Sequence, residues 1–281
     1  MRVKTGIIMV IGLLVFGLNT SVFSQDLDLA TLALPPADKM ERAYAIQNLD
    51  ELIEPLLDLF GFYSGGGLYH TAGIHGFAGF DIGLRVVTMM VKDDQKPPIP
   101  WPSNDELQGG VFRDITLMPL PLLQASVGLP GNVEATGRFF TYPIGEAPKD
   151  GNITLIGLGL KYGLLQNMVL PRVSVVAAYH YLIVPDEFDF GNISCFSGAV
   201  LVSKGFMIFD VYGGIGIDYN KLAVDLKLPD PIGEVKKEYT KQNMRYNLGL
   251  KIKPIPLVYI NADYNFGHAQ GFNVGLGVSF R

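Results

Sequence analysis

The stretch Phe272-Asn273-Val274-Gly275-Leu276-Gly277-Val278-Ser279-Phe280, closed by Arg281, alternates without a slip. Successive side chains of a strand point to opposite sides, so Phe272, Val274, Leu276, Val278 and Phe280 share one face and Asn273, Gly275, Gly277 and Ser279 the other. The apolar face is large and continuous, whereas the opposite face is made of small residues. The same two-faced pattern recurs back to Phe80. Alternating segments of roughly ten residues, separated by turn residues, are the signature of a barrel with its apolar side to lipid and its polar side to a lumen. The expected fold is all-β, a transmembrane antiparallel up-and-down β-barrel of about 10–12 strands with an N-terminal helical plug or cap.

The start of the chain reads as an export signal. Arg2 and Lys4 precede an uninterrupted apolar run from Gly6 to Leu18, and Val22-Phe23-Ser24 places small residues where a signal peptidase cuts, leaving Gln25 as the new N-terminus. That run is shorter than the ~20 residues a membrane-spanning helix needs. No cysteine follows the cut, so a lipid anchor is not expected. The expected organisation is a signal peptide at 1–24, a helical plug or cap segment at 25–75 and a barrel at 76–281.

Composition narrows the function classes. With 33 glycines in 281 residues and only 17% charged residues, the chain suits strands packed closely around a lumen. A mean hydropathy of +0.26 without a second long apolar run disperses the membrane surface over many strands. Removing Arg2 and Lys4 from 22 basic residues leaves 20 against 27 acids, a formal charge of −7. Nucleic acid is not an expected partner, because backbone binding needs a basic surface. The expected partners are outer-membrane lipid, the barrel-assembly machinery and a hydrophobic ligand.

Between signal and barrel the pattern is helical. Ala37 to Asn48 forms one expected stretch, and a second runs from Asp50 to Phe60 with Gly61 as its stop. Leu49, Leu52, Ile53, Leu56, Leu57 and Phe60 fall on one side of it, an apolar face available for ligand binding. Pro55 is a candidate kink or break. Gly65-Gly66-Gly67 allows a tight return toward a strand, which favours a plug inside the lumen or a cap at the periplasmic end of the barrel.

The strands are counted by alternation and turn chemistry: Phe77–Met89, Val111–Leu129, Val133–Tyr142, Ile153–Tyr162, Arg172–Leu182, Ile193–Ser203, Phe206–Tyr219, Asn243–Ile252, Leu257–Phe266 and Gly271–Arg281. Pro119 and Pro121 bend or split the second. Short turns at 130–132, 163–171, 204–205 and 253–256 alternate with links at 92–110, 143–152, 185–192, 220–242 and 267–270, as a barrel with both ends on the periplasmic side requires.

Charges fall on the inward face. Asp81, Glu134, Asp210, Asp218 and Asp263 face Arg85, Arg138, Lys161, Arg172, Arg245 and Lys251, with Asp81/Arg85 and Glu134/Arg138 four apart on one strand face. Unpaired buried charge is costly, so a narrow lumen pairs them. Gly157-Leu158-Gly159 and Gly213-Gly214-Ile215-Gly216 lie within strand patterns and precede no helix, which excludes a phosphate loop. His70 and His75 lack a third ligand partner for a metal. His180 lies near the outer end of its strand without a serine partner, and Cys195 reads as a buried small residue. No catalytic residue, metal or cofactor is expected, and the chain does not read as an enzyme.

Leu52-Ile53-Glu54-Pro55-Leu56, Phe60-Gly61, Gly66-Gly67-Leu68-Tyr69-His70-Thr71-Ala72, His75 and Gly79-Phe80-Asp81-Ile82-Gly83-Leu84 carry a resemblance over about residues 45–90. They resemble the start of an uncharacterised family of Gram-negative outer-membrane barrels, in which a short helix leads through a Gly-Trp/Tyr-x-Thr-Ala segment into a first strand beginning Gly-Phe-Asp. More distantly the layout is similar to long-chain fatty-acid channels of the outer membrane, whose N-terminal segment plugs the barrel. The resemblance implies location and architecture. Two functions follow as expectations: passive transport or binding of hydrophobic or amphiphilic small molecules, or a non-transporting structural or surface-interaction barrel.

Overall fold

The computed structural model describes residues 49–92, 116–143, 152–167, 169–184, 192–227 and 234–280. The signal peptide, the cut before Gln25, the stretch 37–48, Trp101 with most of its loop, and the side chains of Leu49 and Leu52 lie outside the described residues.

The alternating segments form ten strands: β1 (Phe80–Met90), β2 (Leu117–Leu129), β3 (Val133–Pro143), β4 (Asn152–Leu165), β5 (Arg172–Ile183), β6 (Asn192–Phe206), β7 (Phe209–Lys227), β8 (Glu234–Ile255), β9 (Val258–Gly267) and β10 (Gln270–Phe280). Each pairs antiparallel with its chain neighbours, and β1 closes on β10 from Phe80↔Phe280 to Met90↔Gln270. Closure removes the free edge that an open sheet would present, which is the condition for a sheet to sit in lipid.

On β10 the sequence pattern is realised side chain by side chain. Leu276 is 56% exposed on the outside while Asn273 is fully buried inside. The outer wall is apolar along the middle of the strands, and aromatic residues edge this belt. Phe80 packs on Phe280 with centroids 5.9 Å apart near the short-turn end, and Tyr179, Phe196 and Tyr219 stand in cross-strand register near the other. Such girdles mark the two interfaces of a membrane barrel.

Three strands differ from the sequence expectation. β2 is continuous through Pro119 and Pro121, which pair in register with Thr88 and Val86. Their cost appears on the other edge. The β2–β3 ladder covers only Leu123↔Phe139 to Leu129↔Val133, while β3 pairs with β4 up to Pro143. Proline has no N–H to donate, so the upper part of this seam carries no ladder. The expected link 220–242 is largely strand, because β7 and β8 remain paired out to Lys227↔Glu234 in a long hairpin, with Lys221 and Glu238 bonded across it at 2.7 Å.

Before the barrel comes α1 (Leu49–Gly65), continuous through Pro55. Burial of its apolar face outweighs the one hydrogen bond that proline forgoes. The helix also passes Gly61, which was expected to end it. A Cβ at Gly61 would lie 2.3 Å from the Asn220 amide nitrogen, so this glycine serves close packing against β7. The reversal comes later, where the Gly66 N–H bonds to the Phe62 carbonyl at 2.7 Å and Gly67 takes φ +60°.

A plugged lumen as the candidate functional site

The lumen is filled in two layers. In the half toward the long links, Ile53, Leu56, Leu57 and Phe60 of α1 are at most 4% exposed and pack on inward residues such as Val87, Leu120, Leu122, Leu155 and Leu222. The helix is thus inside the barrel, as expected for a plug, but at the end opposite the chain's barrel termini. The expectation of a cap at the periplasmic end is corrected. Most inward Met, Leu, Ile and Val sit at the upper ends of β1, β2, β4, β5, β6 and β7 and form the larger apolar layer that takes the helix, while a smaller cluster with Val176 and Leu201 packs on Leu68, Tyr69 and Ala72 of the strap.

The upper half also fixes the helix by charge. Glu54 and Asp58 accept from Lys241 of β8 at 2.6 and 2.9 Å, and Asp58 is further bonded to His268 at 2.8 Å and to the Asn243 amide at 2.9 Å. At the other end of α1, Arg138 of β3 donates to the carbonyls of Tyr63, Ser64 and Gly66 at 3.3, 2.7 and 2.9 Å. The last carbonyls of a helix have no partner within it and carry partial negative charge, so a guanidinium both satisfies and complements them.

From Gly66 to Gly79 the chain descends through the polar half as an extended strap, and wall side chains bond it at successive levels. Gln124 donates to the Leu68 carbonyl at 3.2 Å, and Tyr69 donates to Asn247 at 2.9 Å. Arg85 donates to His70 Nδ1 at 2.7 Å, to the Tyr259 hydroxyl at 2.9 Å and to Asn261. Thr71 donates to Asp210, which Arg172 also holds at 2.5 Å, while the Ala72 carbonyl accepts from Ser174 and Gln166. Glu134 takes His75 Nδ1 at 2.8 Å on one oxygen and Lys161 at 2.7 Å on the other. The strap ends where the Ala78 N–H meets the Gly128 carbonyl beside the first short turn. Gly275 makes this possible on β10, since a Cβ there would stand 2.1 Å from the Arg85 guanidinium.

Every inward charge expected from the sequence faces the lumen, yet the within-strand pairs Asp81/Arg85 and Glu134/Arg138 do not form among the described residues. His70 stands between the first two, receiving Arg85 on one ring nitrogen and facing Asp81 with the other at 3.3 Å. Glu134 and Arg138 turn to different parts of the strap and helix. Arg245 pairs with Asp218 at 3.0 Å, Lys251 lies over the Tyr259 ring at 4.2 Å, and Asp263 collects Tyr212, Asn273 and Asn265. The expectation missed the plug as the main partner. Its one sequence trace is the run Tyr69-His70-Thr71-Ala72 to His75, too polar to be a bare hinge.

His180, three residues from the long-link end of β5, is fully buried within the barrel opposite Cys195, which is fully buried too. A hollow along the strap, beside His70, Gln124 and Lys161, measures about 10 Å³, room for about one water. A hollow of about 420 Å³ lined by Phe80, Ile82, Ala125, Val127 and Leu158 lies on the outer wall.

A closed antiparallel barrel with an apolar belt and a lumen stoppered by its own N-terminal segment defines the class: a plugged transmembrane β-barrel. Residues 101–280 match a family of unknown function (DUF6588), and the chain belongs to it. No curated protein matches the sequence. Among solved structures, the N-terminal β-barrel domain of Pseudomonas aeruginosa OprF is 14% identical, over 53% of this chain and 96% of that one, with a TM-score of 0.31. Ail, the attachment invasion locus protein of Yersinia pestis, is 13% identical over 74% of this chain and 99% of its own, with a TM-score of 0.29. The outer membrane protein OmpT of Vibrio cholerae, in a loop-deleted form, is 13% identical over 61% and 57%, with a TM-score of 0.32.

Proposed function

We propose that the protein is a non-conducting barrel of the Gram-negative outer membrane, exported by the signal in residues 1–24 and inserted by the barrel-assembly machinery, that works as a surface-interaction module. One observation carries this reading: residues 53–79 fill the lumen from end to end, apolar against apolar above and bonded at each level below. The even strand number, the aromatic girdles and the grouping of long links at one end support the outer-membrane location. Conductance in planar bilayers tests it. Purified protein is expected to hold the membrane silent, and steady single-channel steps from the wild type would refute it.

A second reading, binding or passage of a hydrophobic or amphiphilic molecule, is favoured by the β2–β3 seam. There the wall lacks ladder bonds above Leu123, next to the apolar layer around Leu120 and Leu122. The face of Ile53, Leu56, Leu57 and Phe60 is already committed to packing, so a ligand on this route has to part the seam. Lipid retained by detergent-purified protein in native mass spectrometry, and lost after Pro119→Val and Pro121→Val, is the expected result for this route. Equal retention by both proteins argues against it.

A further inference from the structure

We infer that the polypeptide preceding Leu49 is displayed on the outer face of the membrane. This rests on the outer-membrane reading above. β1 begins at the short-turn end, beside Gly128, and the strap that feeds it has already crossed the whole lumen from the other end. The acidic side of α1 is bonded to Lys241 of the long β7–β8 hairpin and to His268 between β9 and β10, both at the long-link end. The chain therefore enters the barrel from that end. Among the described residues no return route is left inside, because α1 and the strap fill the lumen and the side chains between them and the wall, Tyr63, Ala72, Val87 and Leu122 among them, are fully buried. A return outside the wall would drag unpaired backbone through hydrocarbon, which membranes do not tolerate. The strap is then a stalk, the barrel its socket, and residues 25–48, with the pair Pro35-Pro36, a segment offered to the surroundings of the cell.

Single-cysteine labelling of intact cells with a membrane-impermeant maleimide tests this on the full-length protein. Native Cys195 is fully buried and sets the background. Three reporters are compared: Thr31→Cys in the preceding segment, Thr240→Cys on the exposed hairpin and Pro130→Cys at a short turn. The expected result is labelling of Thr31→Cys as complete as that of Thr240→Cys, with Pro130→Cys silent until the outer membrane is opened. If Thr240→Cys labels on intact cells and Thr31→Cys only after opening, the inference fails while the outer-membrane reading stands. If Thr240→Cys also labels only after opening, both fail. All three are surface or terminal substitutions, and heat-modifiable migration on gels verifies that each barrel is folded.

Discussion

Arg138 donates to the main-chain carbonyl of Ser64 at 2.7 Å, so the last turn of a helix inside the barrel is closed by a guanidinium from the wall. The wall thus supplies what the helix cannot: a partner for its final carbonyls and a positive charge at its negative end.

Replacing Arg138 by Met removes those bonds while keeping the bulk of the side chain. Hydrogen bonds to charged groups contribute about 1.5–3 kcal/mol, and the carbonyls left without a partner remain buried. The barrel is expected to stay folded while the plug loosens. Faster proteolysis within residues 66–79, with unchanged strand content by circular dichroism, is the measurement.

Ser64 faces Cys195 across the space between plug and wall. Under oxidation, Ser64→Cys is expected to form an internal disulfide with the native cysteine and to raise the temperature at which the barrel unfolds on gels. A disulfide requires Cβ atoms about 3.5–4.5 Å apart, so failure to oxidise in the folded barrel would place the helix elsewhere.

Ile53 is 1% exposed against the upper wall. Ile53→Ala is expected to cost about 2–5 kcal/mol, as other deep truncations of this size do. Urea titration of protein folded into vesicles measures it.

On the outer wall, Leu276→Arg puts a charge in the middle of β10 facing lipid. The expected cost is about 2–4 kcal/mol at the midplane. Phe280→Asp, at the edge of the belt beside Phe80, is expected to cost less but still to slow assembly. The share of heat-modifiable protein in the membrane fraction gives the comparison.

Ten strands were legible because each reports itself through a two-residue period, and the small inward face of Asn273 to Ser279 already betrayed a crowded lumen. Pro119 and Pro121 misled in one respect: they leave the strand whole and interrupt only the ladder on their donor-less side. The hairpin of β7 and β8 was hidden because lysine and glutamate along an exposed ribbon look like a loop when no partner strand is visible. The inward charges are buried or half-buried, but their partners are not the ones expected, since a pairing rule based on spacing along one strand knows nothing of a second chain segment threaded between the strands. The helix face was recognised and its destination missed. Which end of a barrel is lined with leucine and valine depends on comparing the same ends of many strands at once, and no local window contains that.

The descent of the strap directly into β1 has a consequence for how the molecule is made. β1 and β10 are the first and last strands to leave the ribosome, and their pairing is the final stitch of the cylinder. Because β1 is covalently continuous with the strap, and Arg85 and Asn273 stand on those two strands facing inward, the stitch is drawn with the filling already beside it. A cylinder closed too early would shut out a segment that has no later way in, leaving buried cations without their carbonyl and imidazole partners. A seam closed around an empty lumen would therefore leave Arg85 without His70 and Arg138 without the Ser64 carbonyl.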